Sequence, residues 1–223
     1  LLGELGKNGA TLADVYFQHA RNNAITLEDG IVSSASASID QGVGLRTVIG
    51  DQQGFACTEE LTMEAMLGAA RTAASIAKGT AVAPPQSFSL HEANSPLYTL
   101  AVPWGQIGVD QKLPILSQVE GYAKAMDPAI TKVSVNWTDN EERVLVATLD
   151  GRVHLDVRPM TRLWVTVTAT KGGQTLSNSA NLAGRRGIGW GRGPTLRQLA
   201  KDAVHRTMVL FDAKRPPAGE MPV

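Results

Sequence analysis

The chain has 223 residues, enough for one large domain or two small ones. Its 21 basic residues balance 21 acidic ones, which excludes whole-surface attraction to nucleic acid or a membrane. Its one cysteine, Cys57, excludes an internal disulfide and a multi-cysteine zinc site, while 43% hydrophobic residues are enough to bury a core. A reducing, cytoplasmic setting fits this cysteine usage. No apolar run approaches the roughly 18 residues of a membrane span, and no signal peptide opens the chain. The first residue is Leu1 rather than Met, and "PPAGEMPV" closes the sequence without a polar tail. Both ends predict a piece of a longer protein.

Leu1 to Asn8 read as the tail of a helix. From Asp14 onward the pattern turns to strands: "DVYFQHAR", "AITLEDG", "IVSSASASID", "VGLRTVIGD" and "GFACTEE". Asp29-Gly30 is a hairpin signal, because both central residues of a type I′ turn need positive φ. Ala35, Ala37 and Ile39 alternate with Ser34, Ser36 and Ser38, which predicts a strand with one apolar face. Thr62 then caps a helix with Met63, Met66, Leu67, Ala70, Ala73, Ala74 and Ala77 on one side, and Gly79 reads as its stop.

Thr80 to Gly108 holds four prolines and reads as irregular linker. A helix over 110–126 follows, with Leu113, Leu116, Val119, Tyr122, Ala123 and Met126 inward. Pro114 is tolerable there only in a first turn.

The strand order then recurs. "TKVSVNWT" and "ERVLVATLDG" lead to a hairpin signal at Asp150-Gly151. In "RVHLDVR", Val153, Leu155 and Val157 form the apolar face. In "TRLWVTVTAT" it is Leu163, Val165 and Val167. Lys171-Gly172-Gly173 turns the chain into "QTLSNSANLAG". Thr195 is the expected cap of a last helix with Leu196, Leu199, Ala200, Ala203, Val204, Thr207, Met208 and Phe211 on its stripe. The reading is an α+β fold of two repeated units of antiparallel β-meander with flanking helices, at about 1–79 and 109–214, joined by a linker at 80–108.

Chemistry is sparse. The four histidines, His19, His91, His154 and His205, have no metal-ligand spacing and read as surface residues. The pairs Glu28-Asp29, Glu59-Glu60 and Glu141-Glu142 fall at turns and strand ends, where solvated charge is the default. No G-x-S-x-G elbow is present. "GRRGIGWGRG", Gly184 to Gly193, is the most unusual segment. It matches neither a P-loop nor G-x-G-x-x-G, and Pro194 removes an amide donor, so it reads as a flexible loop near a partner or substrate. Its Arg/Gly/Trp mix also suits stacking on RNA, but the neutral charge points away from nucleic acid.

The stretch "LEDGIVSSASASIDQGVGLRTVIGDQQGFACTEEL" resembles the signature region of TldD/PmbA proteins, which have also been described as proposed modulators of DNA gyrase. It carries Gly42-Val43-Gly44-Leu45-Arg46 and then Gly54-Phe55-Ala56. The likeness continues through "NSPLY" (94–98), "DVRPMTRLWVTV" (156–167) and "PAGEMPV" (217–223), over nearly the whole chain, and is closer to the TldD branch than to TldE/PmbA. The resemblance implies an N-terminal α+β domain of a metalloprotease subunit. In such a subunit a C-terminal domain carries H-E-x-x-x-H and zinc or another divalent metal, and neither that motif nor a cofactor is expected in this chain. It further implies a TldE/PmbA-like partner subunit and extended, unfolded peptides as substrates. The chain itself is then a non-catalytic scaffold. The alternative is a stand-alone peptide- or partner-binding module without hydrolysis. Arg46, Arg162, Arg185, Arg186 and Trp190 are the expected cavity or interface contacts.

Overall fold

A computed structural model describes residues 1–79, 85, 87–92, 98, 100–214, 219, 220 and 222, with the side chains of 91 and 92 excepted. The expectations placed on His91, on 94–97 and on most of "PAGEMPV" lie outside the described residues or side chains. The elements are α1 (Leu2–Gly6), β1 (Leu12–Glu28), β2 (Ile31–Ile49), β3 (Gln52–Thr58), α2 (Met63–Ile76), β4 (Ser89–Glu92), α3 (Val109–Lys124), β5 (Ile130–Thr148), β6 (Arg152–Lys171), β7 (Gln174–Gly184) and α4 (Gly193–Met208). The fold mixes helix with an antiparallel sheet flanked by helices. Its strand order is β3-β2-β1-β5-β6-β4, with β7 also paired to β6; β4 is the parallel exception.

Sequence reading breaks the long strands into shorter pieces. In the structure β1, β2, β5 and β6 are single strands of 17 to 20 residues. Each contributes one part to each of two compact units. The first unit holds Leu1–Asn22, Ala37–Gly105 and Asn140–Met160, and the second holds Asn23–Ser36, Gln106–Asp139 and Thr161–Val223. Polar residues at mid-strand hide this continuity from sequence, but they are satisfied. Asn22 accepts from Asn140 at 2.6 Å and donates to Asp40 at 2.7 Å, and Asn23 donates to Asp139 at 2.8 Å.

In the first unit, Leu2 and Leu5 of α1 pack with Ala13 and Val15 of β1, Val43 and Leu45 of β2, and Met66, Ala70 and Ala73 of α2. Each fully buried leucine there contributes about 2 kcal/mol of apolar burial. Thr47 is buried but satisfied, donating to the Leu5 carbonyl at 3.0 Å. Thr62 caps α2, accepting from the Ala65 amide. The helix ends at Ile76, earlier than the expected stop at Gly79. Gly79 serves closeness instead: a Cβ there would lie 2.3 Å from the Asn8 carbonyl oxygen.

In the second unit, Val133, Val135 and Trp137 of β5 and Leu163, Val165 and Val167 of β6 are buried. The α4 stripe Leu196, Leu199, Ala200, Ala203 and Val204 is buried too, with α4 against α3 and β7. Thr195 is not the cap. The helix begins at Gly193 because Pro194, with its fixed φ and no amide hydrogen, suits a first-turn position. Pro114 lies inside α3, beyond its first turn, so the helix forgoes the bond that the amide of residue 114 would make to Asp110.

Hairpin chemistry is legible at two turns. Asp29 and Gly30 have φ of 49° and 80°, and Gly172 and Gly173 have 59° and 77°. At the third hairpin only Gly151 is positive, so Leu149–Gly151 form a three-residue loop closed by Gly151 N–H to the Thr148 carbonyl at 3.0 Å.

Two expectations are corrected. The face Ala35, Ala37 and Ile39 is exposed, because among the described residues no helix covers Ile31–Gln41 and every residue there is open to solvent on both faces. In β6, Leu155 and Val157 are exposed while Asp156 and Arg158 are half-buried, paired at 2.7 Å and joined by the Tyr98 hydroxyl. Within 80–108 the described residues include one strand and one buried tryptophan. The strand, β4, pairs with Arg152–Leu155, and Trp104 is buried, its amide donating to Glu141 at 3.0 Å.

Candidate functional site

Gly42-Val43-Gly44-Leu45-Arg46 lies on β2 where β3 begins to pair with it, Val43 opposite Thr58 and Arg46 opposite Phe55. Strand alternation sends Val43, Leu45 and Thr47 into the core under α1 and α2. Gly42, Gly44 and Arg46 take the other face. The Phe55 ring lies over Gly44, where a Cβ would meet it at 3.3 Å. At Gly42 a Cβ would sit 3.1 Å from the Thr58 carbonyl oxygen.

Without those two side chains an open groove of about 300 Å³ forms. Gly42 and Gly44 are its floor. Tyr16 of β1 stands on one side, Phe55 and Cys57 of β3 on the other, and Asp40 and Glu59 at the rim. Cys57 is a free, exposed cysteine of β3. Arg46 is not a free charge. Its Nε and Nη2 both donate to Asp14 Oδ2, at 2.8 and 2.5 Å.

The other four expected contacts lie in the second unit. The Arg162 guanidinium stacks 4.1 Å from the Trp164 ring centroid. Arg185 and Arg186 are exposed, and the Arg186 carbonyl accepts from Thr161 at 3.1 Å. Trp190 is half-buried, its indole nitrogen sealed without a hydrogen-bond partner among the described residues. Arg46 belongs to one compact unit and the rest to the other.

Sequence reading missed a buried charge cluster in the second unit. Asp139 is 2% exposed and accepts from Lys112 Nζ at 2.5 Å, Trp137 Nε1 at 2.8 Å and Asn23 Nδ2 at 2.8 Å. A signal existed. Asp139 falls in the inward phase of Val133, Val135 and Trp137, where a polar residue must be buried with partners.

Among the described residues no group of three His, Cys, Asp or Glu could hold a metal ion. His19 and His154 lie on strands and His205 on α4. No described helix is long and apolar enough to cross a membrane.

These elements match two family models in chain order: "PmbA/TldA metallopeptidase domain 1" over residues 13–77 and "PmbA/TldA metallopeptidase central domain" over residues 102–211. The chain belongs to the PmbA/TldD family. The metalloprotease TldD homolog of Haemophilus influenzae is 33% identical over 221 residues, which is 95% of this chain and 45% of that protein. The TldD homolog of Buchnera aphidicola subsp. Acyrthosiphon pisum is 26% identical, over 74% of this chain and 34% of that protein. The chain thus spans less than half the length of these relatives. Two solved structures share the fold at 15% identity, each over 93% of this chain and 46% of its own length. They are a proposed modulator of a DNA gyrase from Thermotoga maritima (TM-score 0.69) and TldE from Thermococcus kodakarensis (0.59). The metal that a metallopeptidase needs finds no fitting site among the described residues.

Proposed function

We propose that this chain is the non-catalytic scaffold portion of a TldD-type metalloprotease subunit, working in the cytoplasm with a TldE/PmbA-like subunit on unfolded peptides. The observation that carries the reading is the match of two consecutive family domains to a chain that spans 45% of its TldD relative. Zinc or another divalent metal then belongs to the H-E-x-x-x-H segment of the parent subunit, not to these residues. Arg46, Arg162, Arg185, Arg186 and Trp190 contact the cavity or the partner in this reading. The exposure of Arg162, Arg185 and Arg186 supports it.

The same reading takes 1–79 and 109–214 as two repeats around a connecting segment at 80–108. Element order supports it, since α1-β1-β2-β3-α2 is followed by α3-β5-β6-β7-α4. Co-expression of the tagged chain with a TldE/PmbA-like subunit, followed by size-exclusion chromatography, tests the scaffold role. The expected result is a co-eluting complex that leaves an unfolded peptide intact. Chelator-sensitive cleavage of that peptide by the purified chain alone would overturn the proposal.

A further inference from the structure

β3 pairs only with Val43–Ile49, although β2 begins at Ile31. In the strand order, Ala37–Gly42 therefore have β1 on one side and, among the described residues, no strand on the other. Residues 37–41 are exposed throughout. Open edges of this kind are usually guarded by Lys, Pro, a bulge or a covering helix. The edge here reads Ala-Ser-Ile-Asp-Gln, with one charge and no proline. Among the described residues no strand takes up its outward amides and carbonyls, so an incoming strand can pair with them.

The groove lies where that edge meets the end of β3, so a segment laid along Ala37–Gly42 would run in line with β3 and deliver a side chain to it. The floor is glycine and the walls are Tyr16 and Phe55, which suits an apolar side chain. The charged residues of the lining are Asp40 and Glu59, both acidic and both exposed. Asp40 is oriented by the Asn22 amide, which donates to its Oδ2 at 2.7 Å. A second copy brought up edge to edge would set its own acids against these, so the rim disfavours self-pairing and favours a cation.

We propose that the open edge of β2 at Ala37–Gly42, with the adjoining groove, binds an extended peptide segment that carries lysine or arginine beside an apolar residue. Backbone pairing along the edge supplies affinity, and the groove and its acids select the side chains. The inference rests on the peptide-handling reading above and names the peptide class. Its test reads binding alone, so failure here leaves the partner complex and its assay untouched.

Cys57 is the one cysteine of the chain and lines the groove, so its alkylation by iodoacetamide reports occupancy. The probe is a fluorescein-labelled heptapeptide alternating lysine and valine. Controls are the glutamate–valine counterpart and the lysine–valine sequence with every backbone amide methylated. The lysine–valine peptide is expected to raise anisotropy and slow Cys57 alkylation, and neither control should do so. The double variant Asp40→Asn/Glu59→Gln touches only exposed side chains and should keep its melting temperature. It should weaken binding about tenfold, the scale of two exposed charge pairs. Binding that leaves Cys57 unprotected overturns the proposal, as does equal affinity for the glutamate peptide or an unchanged affinity in the double variant. Protection of Cys57 that grows with protein concentration and without peptide would assign the edge to a second copy instead.

Discussion

Gly54 of β3 lies so close to Ala73 of α2 that a Cβ built on the glycine would fall 2.0 Å from the Ala73 carbonyl oxygen. The obstacle is helix backbone, which cannot rotate away. The glycine of the Gly54-Phe55-Ala56 block is therefore a packing requirement: it lets β3 approach α2 closely enough to close the first unit's core and to place Phe55 over Gly44. Gly54→Ala should cost about 2–3 kcal/mol, the scale of overpacking a core. Gly68, exposed in the middle of α2 with nothing within 4 Å of a Cβ, is the control. Gly68→Ala should stabilise by about 0.5–1 kcal/mol through helix propensity. Urea denaturation of both variants checks the pair. Equal effects would refute the close approach.

Lys112 and Asp139 are 3% and 0% exposed as side chains. Removing one partner leaves the other charge buried without its counter-ion, so Asp139→Ala should cost about 3–5 kcal/mol. Replacing both, Lys112→Met with Asp139→Leu, removes both desolvation penalties and should cost clearly less than either single change, although Trp137 and Asn23 lose an acceptor. A double-mutant cycle by chemical denaturation measures this. Additive losses would mean that the pair is not coupled.

The β1–β2 turn is tied to the end of α3 by charge. Lys124 lies 2.9 Å from Asp29 and 3.0 Å from Glu120, and Glu120 accepts from the Gly30 amide at 2.8 Å. The hydrogen bond from Lys124 holds the Asp29 carboxyl below its ordinary range, and the same bond raises Lys124. The lowered carboxylate contributes stability that is present above its unfolded pKa and lost as pH falls through the folded one. The raised ammonium contributes stability that is present below its unfolded pKa and lost as pH rises through the folded one. The melting temperature should therefore fall toward both acid and alkaline extremes, and Lys124→Met should flatten both arms. Both groups are well exposed, so the arms should be shallow. A variant with unchanged arms would refute the assignment.

Asp150 offers a direct spectroscopic check. Hydrogen bonds from Arg152 and then from Thr148 lower its carboxyl to about 2. NMR titration should find it there, and Arg152→Gln should move it back up toward the ordinary carboxylate value. Its contribution to stability is present above the unfolded value of 3.8 and is lost as pH falls toward 2. A titration near 3.8 in the unaltered chain would contradict the geometry of the Leu149–Gly151 loop.

Much of the fold was legible because it is locally encoded. Thr62 announces the start of α2, and Asp29-Gly30 and Gly172-Gly173 announce their turns through φ values that other residues resist. The α4 stripe and the Leu163, Val165 and Val167 face are buried as their spacing predicts. The candidate site was legible only in part. The Gly42–Arg46 and Gly54–Ala56 blocks stand out in the sequence, but that Phe55 covers Gly44, or that Asp14 occupies Arg46, depends on residues brought together from separate strands.

By itself the sequence determined the main helices, the positions of the tight turns and membership of a family, since each is carried by neighbouring residues or by their spacing. Only the tertiary structure decided which face of each strand is covered. Alternation makes two faces on every strand, but burial requires a helix or another chain segment to arrive from elsewhere. The Ile39 stretch of β2 and Leu155 and Val157 of β6 stay exposed, whereas α3 brings Lys112 to the inward-facing Asp139. The assignment of each long strand's parts to different compact units is non-local for the same reason, because it follows from which helices pack against each part.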